Sequence, residues 1–389
     1  MKEKIYQFLF TFLSIIAKWC LVMKGKVSLS RGKQHFFIEH VLAPEFDKRP
    51  HLKTTNTYFK QWGFKVNMLE AAYYQRMTGI ASEWYIPYTF LVHYLIPYLN
   101  GNERSIDKND LRRMLGANSP HKRVPFKMAQ QVVYNQGGVF YDGNDECVSI
   151  DEAIRLVMDY DKDIIVKPTT NTTWGKGVIK LGVAEKSEEL IRQLFAKYVK
   201  DFSFEERVKQ HSALDTLNKS SLNTTRVMTY RKPDGTIKFL FSIQRFGKEG
   251  SVIDNASAGG QFVGVSADGT LNRTVKKYKT LETEMLSEQA LEKIPFFDRI
   301  KEAAIYLHGK MPHTNYLGWD FSVTEEGVPV LIELNLYPAV FGTQIATGPA
   351  FSKEDLDELM PLLSRWRIDC RKYPLILFEN KQGHGGKIK

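Results

Sequence analysis

Cysteine is scarce in this chain of 389 residues, which contains three: Cys20, Cys147 and Cys370. Their number is odd and they lie far apart, so they provide neither a disulfide framework nor the close pairs of a zinc site. This scarcity is typical of a protein in a reducing cytoplasm. The 43% hydrophobic and 25% charged composition is that of an ordinary globular protein, long enough for two or three domains.

Two common phosphate-binding motifs are also missing. The sequence contains neither GxxxxGK(S/T) nor GxGxxG, which argues against a P-loop domain and a dinucleotide-binding domain. No Ser-His-Asp or Cys-His arrangement is discernible, so no side chain is predicted to act as a covalent nucleophile. No repeat occurs at a fixed period, which excludes a solenoid.

The N-terminus lacks a long uninterrupted hydrophobic run. The segment from Ile5 to Met23 approaches the length of a membrane span, but polar residues recur within it at helical spacing. These residues are Gln7, Thr11, Ser14 and Lys18. They share one helical face, and no small-residue cleavage site follows. We predict an amphipathic helix over residues 1–27 that either binds a membrane surface or packs on the protein.

Positive charge exceeds negative charge by ten, and much of the excess lies near the N-terminus. Residues 1–60 contain eleven Lys or Arg against four Asp or Glu. A surplus at one end fits an anionic membrane surface or an acidic polymer better than a nucleic acid. We therefore expect no nucleic-acid partner and a cytoplasmic location, with peripheral association at the inner face of the cytoplasmic membrane as an open alternative.

The pattern along the chain predicts α+β layers after a mainly helical start. Residues 28–115 are rich in aromatic residues and have the pattern of helices interrupted by prolines. From residue 116 onward, helical stretches alternate with strands and with turns rich in Gly, Asp and Pro. We predict one α+β subdomain over residues 116–203, a second over residues 204–378, and a disordered tail over residues 379–389.

The run LGWDFSVTEEGVPVLIELNLYPAV, which begins at Leu317, predicts a hairpin with oxygen-bearing side chains on one face. A two-residue turn at its adjacent glutamates would place Asp320 opposite Leu331 and diagonal to Glu333. Glu333 and Asn335 lie two apart on a strand and therefore share a face. A single acidic residue on a strand is usually just solvated, but this triplet within an apolar run favours a hard-cation site.

The polar loop in VKPTTNTTWGKGVIKL lies between two predicted strands. Lys167 ends the first strand, and Gly175, Lys176 and Gly177 form a flexible turn, rich in N–H groups, that is able to approach phosphates. Most turns of this kind are ordinary tight turns with a solvated lysine. The three oxygen donors farther along the chain strengthen the phosphate-binding interpretation.

Eight short motifs, in this order, resemble those of the sugar-transfer-associated ATP-grasp proteins, which occur with bacterial capsule and surface-polysaccharide genes. They are PFK, IIVKP, WGKGV, FEERVKQH, SSLNTTRVMTYR, DNASAGG, GWD and IELN, within residues 110 to 345. Each is short, and it is their order that makes the resemblance specific. The resemblance implies an ATP-grasp fold, in which two α+β subdomains clamp ATP, preceded here by the mainly helical region.

The resemblance implies which residues bind the nucleotide. Lys127 and Lys167 would contact its phosphates, and Lys176, with its flanking glycines, would lie in a loop that closes over them. The FEERV segment would be the hinge between the subdomains, with backbone groups that contact adenine. Glu205 or Glu206 would accept hydrogen bonds from the ribose; the sequence leaves this choice open because neighbouring strand residues face opposite ways.

The resemblance also implies a catalytic centre with magnesium. Asp320, Glu333 and Asn335 would hold one or two Mg²⁺ ions that bridge the β- and γ-phosphates. Asn223 and Arg226 enter a strand together and would be the catalytic residues, and Arg226 would stabilise charge on the transferred phosphoryl group or on an acyl-phosphate. Without the resemblance, a salt bridge to a neighbouring carboxylate would be the better interpretation of Arg226.

These implications predict an ATP-dependent ligase that forms an amide-like bond through an acyl-phosphate, in bacterial surface-polysaccharide biosynthesis. Its substrates would be a carboxylate and an amine, either small molecules or groups on a glycan. One alternative is a kinase of the same fold that phosphorylates a sugar or a lipid-linked hydroxyl. Another is a non-catalytic nucleotide-binding scaffold, against which the intact lysines, arginine and metal triplet argue.

Overall fold

The computed structural model describes residue 38 and residues 42–101, 106–115, 124–170, 177–247 and 260–372. The predicted N-terminal helix of residues 1–27 and the predicted tail of residues 379–389 lie outside these residues. Within the described ranges, every helix is too short or too polar to span a membrane.

The N-terminal region consists of short helices, as the sequence predicts. They are α1 (Arg49–Lys53), α2 (Thr57–Gln61), α3 (Leu69–Thr78), α4 (Tyr88–Phe90), a π-helical turn (Leu91–Leu95), α5 (Ile96–Asn100) and α6 (Lys108–Leu115). Local signals set some of their ends. The Asn56 side chain accepts the N–H of Phe59 and so caps α2, and Gly79 ends α3 in the left-handed conformation.

The first sheet has six strands in the order β4-β3-β2-β7-β5-β6, with all neighbours antiparallel. Its strands are β2 (Gln131–Gln136), β3 (Val139–Asp142), β4 (Cys147–Val148), β5 (Ile164–Pro168), β6 (Ile179–Leu181) and β7 (Phe202–Glu206). Two helices, α7 (Ile150–Asp159) and α8 (Glu188–Tyr198), pack on it. Ser149 and Ser187 cap these helices by accepting backbone N–H groups, so both helices begin where the sequence signals a start.

The second sheet has six strands in the order β1-β14-β13-β8-β9-β10. Its strands are β1 (Lys127–Met128), β8 (Thr224–Arg231), β9 (Ile237–Phe246), β10 (Gln261–Val265), β13 (Tyr316–Val323) and β14 (Pro329–Asn335). The remaining elements are 3₁₀ turns at Val183–Glu185 and Ser212–Thr216, a small ribbon of β11 (Thr274–Val275) and β12 (Glu284–Met285), and helices α9 (Phe297–Gly309), α10 (Phe341–Thr347) and α11 (Lys353–Lys372). The strand β1 runs parallel to β14, and the other neighbours are antiparallel.

The two faces of the second sheet differ in their cover. Val227 and Trp319 point to one face and share an apolar core with α9. Met228 and Ile243 lie on the opposite face, in two separate apolar clusters with helices of the N-terminal region. The N-terminal region therefore packs directly on the second sheet.

The predicted boundary between residues 203 and 204 divides a strand, because β7 lies wholly within the first sheet. The short β1, which precedes the first sheet in the chain, pairs with β14 of the second sheet. Which strands pair with each other depends on contacts between segments far apart in the chain, and local sequence patterns do not indicate such contacts. The chain therefore passes between the sheets at each end of the first subdomain.

The turn between β13 and β14 is one residue longer than predicted. Glu325 and Glu326 occupy its centre, as expected, and the N–H of Gly327 donates to the carbonyl of Thr324. Gly327 adopts a left-handed conformation with φ +76°, so it adds a third loop residue and Thr324 pairs with Val328. This three-residue turn shifts the register of the hairpin by one position.

A bulge shifts the register of the same hairpin once more. Phe321 lies opposite Leu331, but its neighbour Asp320 lies opposite Glu333, with Ile332 as the extra residue. The expectation that Asp320 faces Leu331 is therefore wrong. The two shifts together make Asp320 and Glu333 direct cross-strand neighbours.

We expect alanine at Gly327 to cost more stability than alanine at Gly235, a matched turn glycine with φ +89°. A Cβ at Gly327 would lie 2.6 Å from Cγ of Phe296, whereas a Cβ at Gly235 has no described atom within 4 Å. Gly235→Ala should lower the free energy of unfolding by about 1–2 kcal/mol, because of the left-handed backbone. Gly327→Ala should lower it by about 1–3 kcal/mol more, because the aromatic ring must move. Urea unfolding measures both, and equal losses would contradict the close contact.

Candidate active site

A buried carboxylate between two arginines lies on the second sheet. Strand pairing places Arg226 opposite Asp320. The guanidinium of Arg226 donates from Nε to Oδ1 and from Nη2 to Oδ2 of Asp320, both at 2.7 Å. Arg245, on β9, donates from Nη1 to Oδ2 at 2.9 Å. The Asp320 side chain is 3% exposed. Arg226 therefore forms a buried salt bridge with a neighbouring carboxylate, which was the alternative interpretation of this residue from the sequence.

Two members of this arginine cluster (Arg226, Arg245 and Asp320) have pKa values shifted toward their charged forms, namely Asp320 and Arg226. Burial raises the pKa of Asp320, but the two arginines and the neighbouring amide of Asn335 outweigh it and hold the pKa below its usual range. Burial lowers the pKa of Arg226, and Asp320 more than offsets this, so the pKa lies above its usual range. The two guanidinium groups and the one carboxylate of the cluster leave one net positive charge, and the carboxylate of Glu333 lies directly beside it.

Glu333 and Asn335 lie beside the arginine cluster, on the same face of the hairpin. Glu333 is opposite Asp320, its side chain is 37% exposed, and its Oε1 lies 3.4 Å from Nζ of Lys108. Asp320 accepts three N–H bonds from the two arginines, and these occupy most of the roughly four acceptor positions of an ionised carboxylate.

The donor set of Asp320, Glu333 and Asn335 fits Mg²⁺, because it supplies two carboxylates and an amide oxygen. Two of its three residues, Asp320 and Glu333, belong to the residue types His, Cys, Asp and Glu. Over the described part of the chain, no group of three or more such residues could hold a metal ion. The described residues thus offer no competing cluster of these residue types.

Lys167 and Glu205 form a second buried pair, on the first sheet. Lys167 Nζ lies 2.6 Å from Glu205 Oε2, and Ser203 donates to the other oxygen of Glu205 at 2.8 Å. Burial lowers the pKa of Lys167, and Glu205 offsets this only in part. Burial raises the pKa of Glu205, but Lys167 and Arg112 outweigh it, so the pKa lies below its usual range.

The two glutamates of the FEERV segment face opposite sides of β7. Glu205 is buried against Lys167, whereas Glu206 is partly exposed and accepts hydrogen bonds from Tyr160 at 2.5 Å and Lys162 at 3.1 Å. Burial raises the pKa of Glu206, and these two hydrogen bonds lower it below its usual range. Glu206 is thus the more accessible of the two carboxylates.

Two other predicted nucleotide-binding residues, Lys127 and Gly177, lie on β1 and just before β6. Lys127 is exposed on β1, and its charge helps to lower the pKa of Glu206. Gly177 has φ +79°, and a Cβ there would lie 3.0 Å from the ring of Pro168, so this position suits glycine. Gly175 and Lys176 lie outside the described residues.

The amide of Asn223, a predicted catalytic residue, forms hydrogen bonds within the loop that precedes β8. Its side chain is fully buried, and its Nδ2 donates to the carbonyls of Leu214 at 2.9 Å and Asn218 at 2.7 Å. Its Oδ1 accepts from Ser221 at 3.0 Å. These bonds use its amide to hold the loop before β8, three residues from Arg226.

Sequence reasoning missed Lys108, Arg112 and Arg245. Lys108 and Arg112 are four residues apart on α6 and share a helical face, a signal that the charge pattern contains. Lys108 faces Glu333, and Arg112 lowers the pKa of Glu205. Strand alternation alone could not identify Arg245, because its role depends on its contact with Asp320 across an intervening strand.

Residues 130–358 match the family described as "Sugar-transfer associated ATP-grasp". This chain belongs to that family. The matched residues include the Lys167–Glu205 pair and the whole arginine cluster. Lys127 and α6 precede them, so the ATP-grasp match does not include Lys108.

Several solved structures are similar to this ATP-grasp chain at low identity. The D-alanine–D-alanine ligase from Bacillus anthracis complexed with ATP is 14% identical, with 68% of this chain and 67% of that chain covered and a TM-score of 0.37. The D-cycloserine synthetase DcsG is 12% identical, with 66% of this chain and 70% of that chain covered and a TM-score of 0.40. The VanG D-Ala:D-Ser ligase from Enterococcus faecalis is 14% identical, with 66% of this chain and 61% of that chain covered and a TM-score of 0.41. The chain therefore spans less than two thirds of that ligase. No curated protein matches the sequence.

Asp320→Asn should destabilise the ATP-grasp chain strongly, because it leaves two largely buried arginines without this counter-charge. We expect the free energy of unfolding at pH 7 to fall by about 3–5 kcal/mol. The fold holds the pKa of Asp320 below its unfolded value of about 3.9. The contribution of Asp320 to the free energy of unfolding is therefore complete above that pH and is lost as the pH falls through the pKa of the folded state.

Urea unfolding measured at pH 7 and again at about pH 4 and below tests this expectation, because a shifted pKa makes the free energy of unfolding depend on pH. Wild type should lose stability on acidification more steeply than Asp320→Asn does. Asp159→Asn, at an exposed position on α7, is the control and should resemble wild type. Identical acid profiles for all three proteins would show that Asp320 is not held ionised by the arginines.

Proposed function

We propose that this chain is an ATP-dependent ligase that joins a carboxylate to an amine through an acyl-phosphate. The observation that carries the proposal is the arginine cluster, with Glu333 and Asn335 beside it on the same sheet face. Phosphoryl transfer requires positive charge fixed around the moving group and a hard cation on the neighbouring phosphates. The cluster offers the first, and the oxygen donors offer the second.

Each side chain would have a defined task. Lys127 and Lys167 would bind the phosphates of ATP, and Arg226 would turn part of its guanidinium toward the transferred phosphoryl group. Glu333 and Asn335, together with Asp320, would hold Mg²⁺. The Mg²⁺ would neutralise charge on the β- and γ-phosphates.

The reaction would proceed in two displacements. A carboxylate oxygen of the substrate forms a bond to the γ-phosphorus, and the bond to the β-phosphate oxygen breaks to release ADP. The nitrogen of the amine then attacks the acyl carbon, phosphate leaves with the bonding pair, and the nitrogen loses a proton. Neither step needs a covalent nucleophile from the protein, which fits a site built from cations and metal ligands.

The sugar-transfer association of the family supports a role in bacterial surface-polysaccharide biosynthesis. The carboxylate and the amine would then belong to small molecules or to a glycan. The basic N-terminal sequence supports a cytoplasmic protein at the inner face of the membrane.

Thermal unfolding with ATP tests nucleotide and metal binding. With ATP at about 100 times its dissociation constant, wild type should be stabilised by about 2.7 kcal/mol, and only when Mg²⁺ is present. Glu333→Gln keeps the side-chain shape and removes the charge, so its magnesium-dependent rise should be smaller. Glu326→Gln, at an exposed turn position of the same hairpin, should behave as wild type. The absence of any rise in wild type would contradict nucleotide binding.

Hydroxylamine trapping tests the chemistry. With ATP, Mg²⁺ and a panel of amino acids and uronic acids, an acyl-phosphate would be captured as a hydroxamate, which is detected by its iron complex. Arg226→Lys keeps the charge but loses the bidentate geometry, so hydroxamate formation should fall about 100-fold. Arg192→Lys, on the exposed face of α8, is the control. A stable phosphoester without hydroxamate would indicate a kinase instead.

A further inference from the structure

The side chain of Asn100, the last residue of α5, closes the open end of the β13–β14 hairpin. Its Nδ2 donates to the carbonyl of Tyr316 at 2.6 Å and to the carbonyl of Leu336 at 2.7 Å. Its Oδ1 accepts the backbone N–H groups of Asn315 and Tyr316, both at 2.9 Å. Asn100 is buried, and these four bonds use both donors and both acceptor positions of its amide. Of the side chains of this length, only an amide supplies both sets.

These bonds begin where the pairing of the two strands stops. The last pair is Gly318 opposite Asn335, and β14 ends at Asn335. Leu336 is the next residue along the chain, so one donor of Asn100 holds the backbone directly after the predicted metal ligand. The other three bonds hold the start of β13, the strand that carries Asp320. Asn100 therefore fixes both strands at the end nearest Asn335.

A second contact from the N-terminal region holds the residues that follow β14. The hydroxyl of Tyr337 donates to the carbonyl of Val92, in the π-helical turn, at 3.0 Å. The same segment folds back over the hairpin, because a Cβ at Gly318 would lie 3.0 Å from Cβ of Pro338. Residues 336–338 are thus attached to the N-terminal region and packed on the hairpin.

A magnesium ligand depends strongly on support of this kind. Mg²⁺ requires near-ideal octahedral geometry with bonds of about 2.0–2.1 Å, whereas Ca²⁺ accepts longer bonds of about 2.3–2.6 Å in flexible arrangements. A small displacement of the amide oxygen of Asn335 would therefore lower the affinity for Mg²⁺ more than the affinity for Ca²⁺. Groups that orient metal ligands typically contribute about 10- to 100-fold to metal affinity.

We propose that Asn100 is a positioning residue for the metal site: it fixes the backbone beside Asn335 so that the amide oxygen of that residue completes the coordination of Mg²⁺. This inference rests on the proposed magnesium binding by Asp320, Glu333 and Asn335. Asn100 precedes residues 130–358, which match the ATP-grasp family. The N-terminal region thus supports the metal site from outside the matched residues.

Cation binding to Asn100→Ala tests this role. Mn²⁺ binding is followed by electron paramagnetic resonance, and Mg²⁺ and Ca²⁺ are then titrated separately to displace the bound Mn²⁺. We expect the Mg²⁺ affinity of the variant to fall about tenfold. Its Ca²⁺ affinity should fall about threefold or less, because Ca²⁺ tolerates a displaced ligand. Partial unfolding would instead lower both affinities by the same factor, so the ratio of the two affinities separates positioning from loss of the fold.

A second variant and a matched control accompany this measurement. Tyr337→Phe keeps the ring and removes its hydroxyl, so it remains informative if Asn100→Ala does not fold. Its Mg²⁺ affinity should fall about threefold, with a smaller change for Ca²⁺. Asn56→Ala, the control, also removes a buried asparagine of the N-terminal region. Over the described residues, the Asn56 amide bonds to Glu83 and Phe59 and not to the hairpin, so its ratio of cation affinities should equal that of wild type.

The outcomes distinguish this inference from the proposed function. A selective loss of Mg²⁺ affinity in Asn100→Ala or Tyr337→Phe, and not in Asn56→Ala, supports the inference. If wild type binds Mn²⁺ and every folded variant keeps the wild-type ratio of Mg²⁺ to Ca²⁺ affinity, Asn100 supports only the fold and the inference is wrong. If wild type binds no Mn²⁺, the proposed metal site fails and the inference fails with it.

Discussion

The ion cluster of Asp320 with Arg226 and Arg245 is the constraint on which the rest of the site depends. Charges removed from water are stable only when each has a well-placed partner, and here pairing between neighbouring strands provides the bidentate contact. Apolar packing on either side of the cluster, around Met228 and Ile243, joins this sheet face to the N-terminal helices. The helical region thus packs on the sheet face that carries the cluster.

Two small irregularities in one hairpin decide which groups meet. The left-handed Gly327 lengthens the turn, and the bulge beside Asp320 adds a second shift, so that Asp320 and Glu333 become direct neighbours. Together they allow Leu331 to remain in the apolar core while Glu333 faces the polar side. A hairpin without these features would preserve the strands but would place the two carboxylates diagonally and not directly opposite each other.

Adjacent motif residues can serve quite different purposes. In the segment NTTR, Arg226 enters the site, whereas Asn223 uses its amide to hold the preceding loop. In FEERV, Glu205 pairs with the largely buried Lys167, and Glu206 faces the more accessible side. Residues that one motif groups together therefore make contacts of quite different kinds.

The sequence by itself determined the features that depend on local periodicity: the helical N-terminal region, the α+β alternation, and the shared face of Glu333 and Asn335. Its ordered motifs also identified the ATP-grasp family. Only the tertiary structure decided that Asp320 faces Glu333, that residues 203 and 204 belong to one strand, and that Lys108 and Arg245 join the site. These depend on which strands pair and on which helix packs between the sheets, and such contacts join residues far apart in the chain, where no local pattern records them.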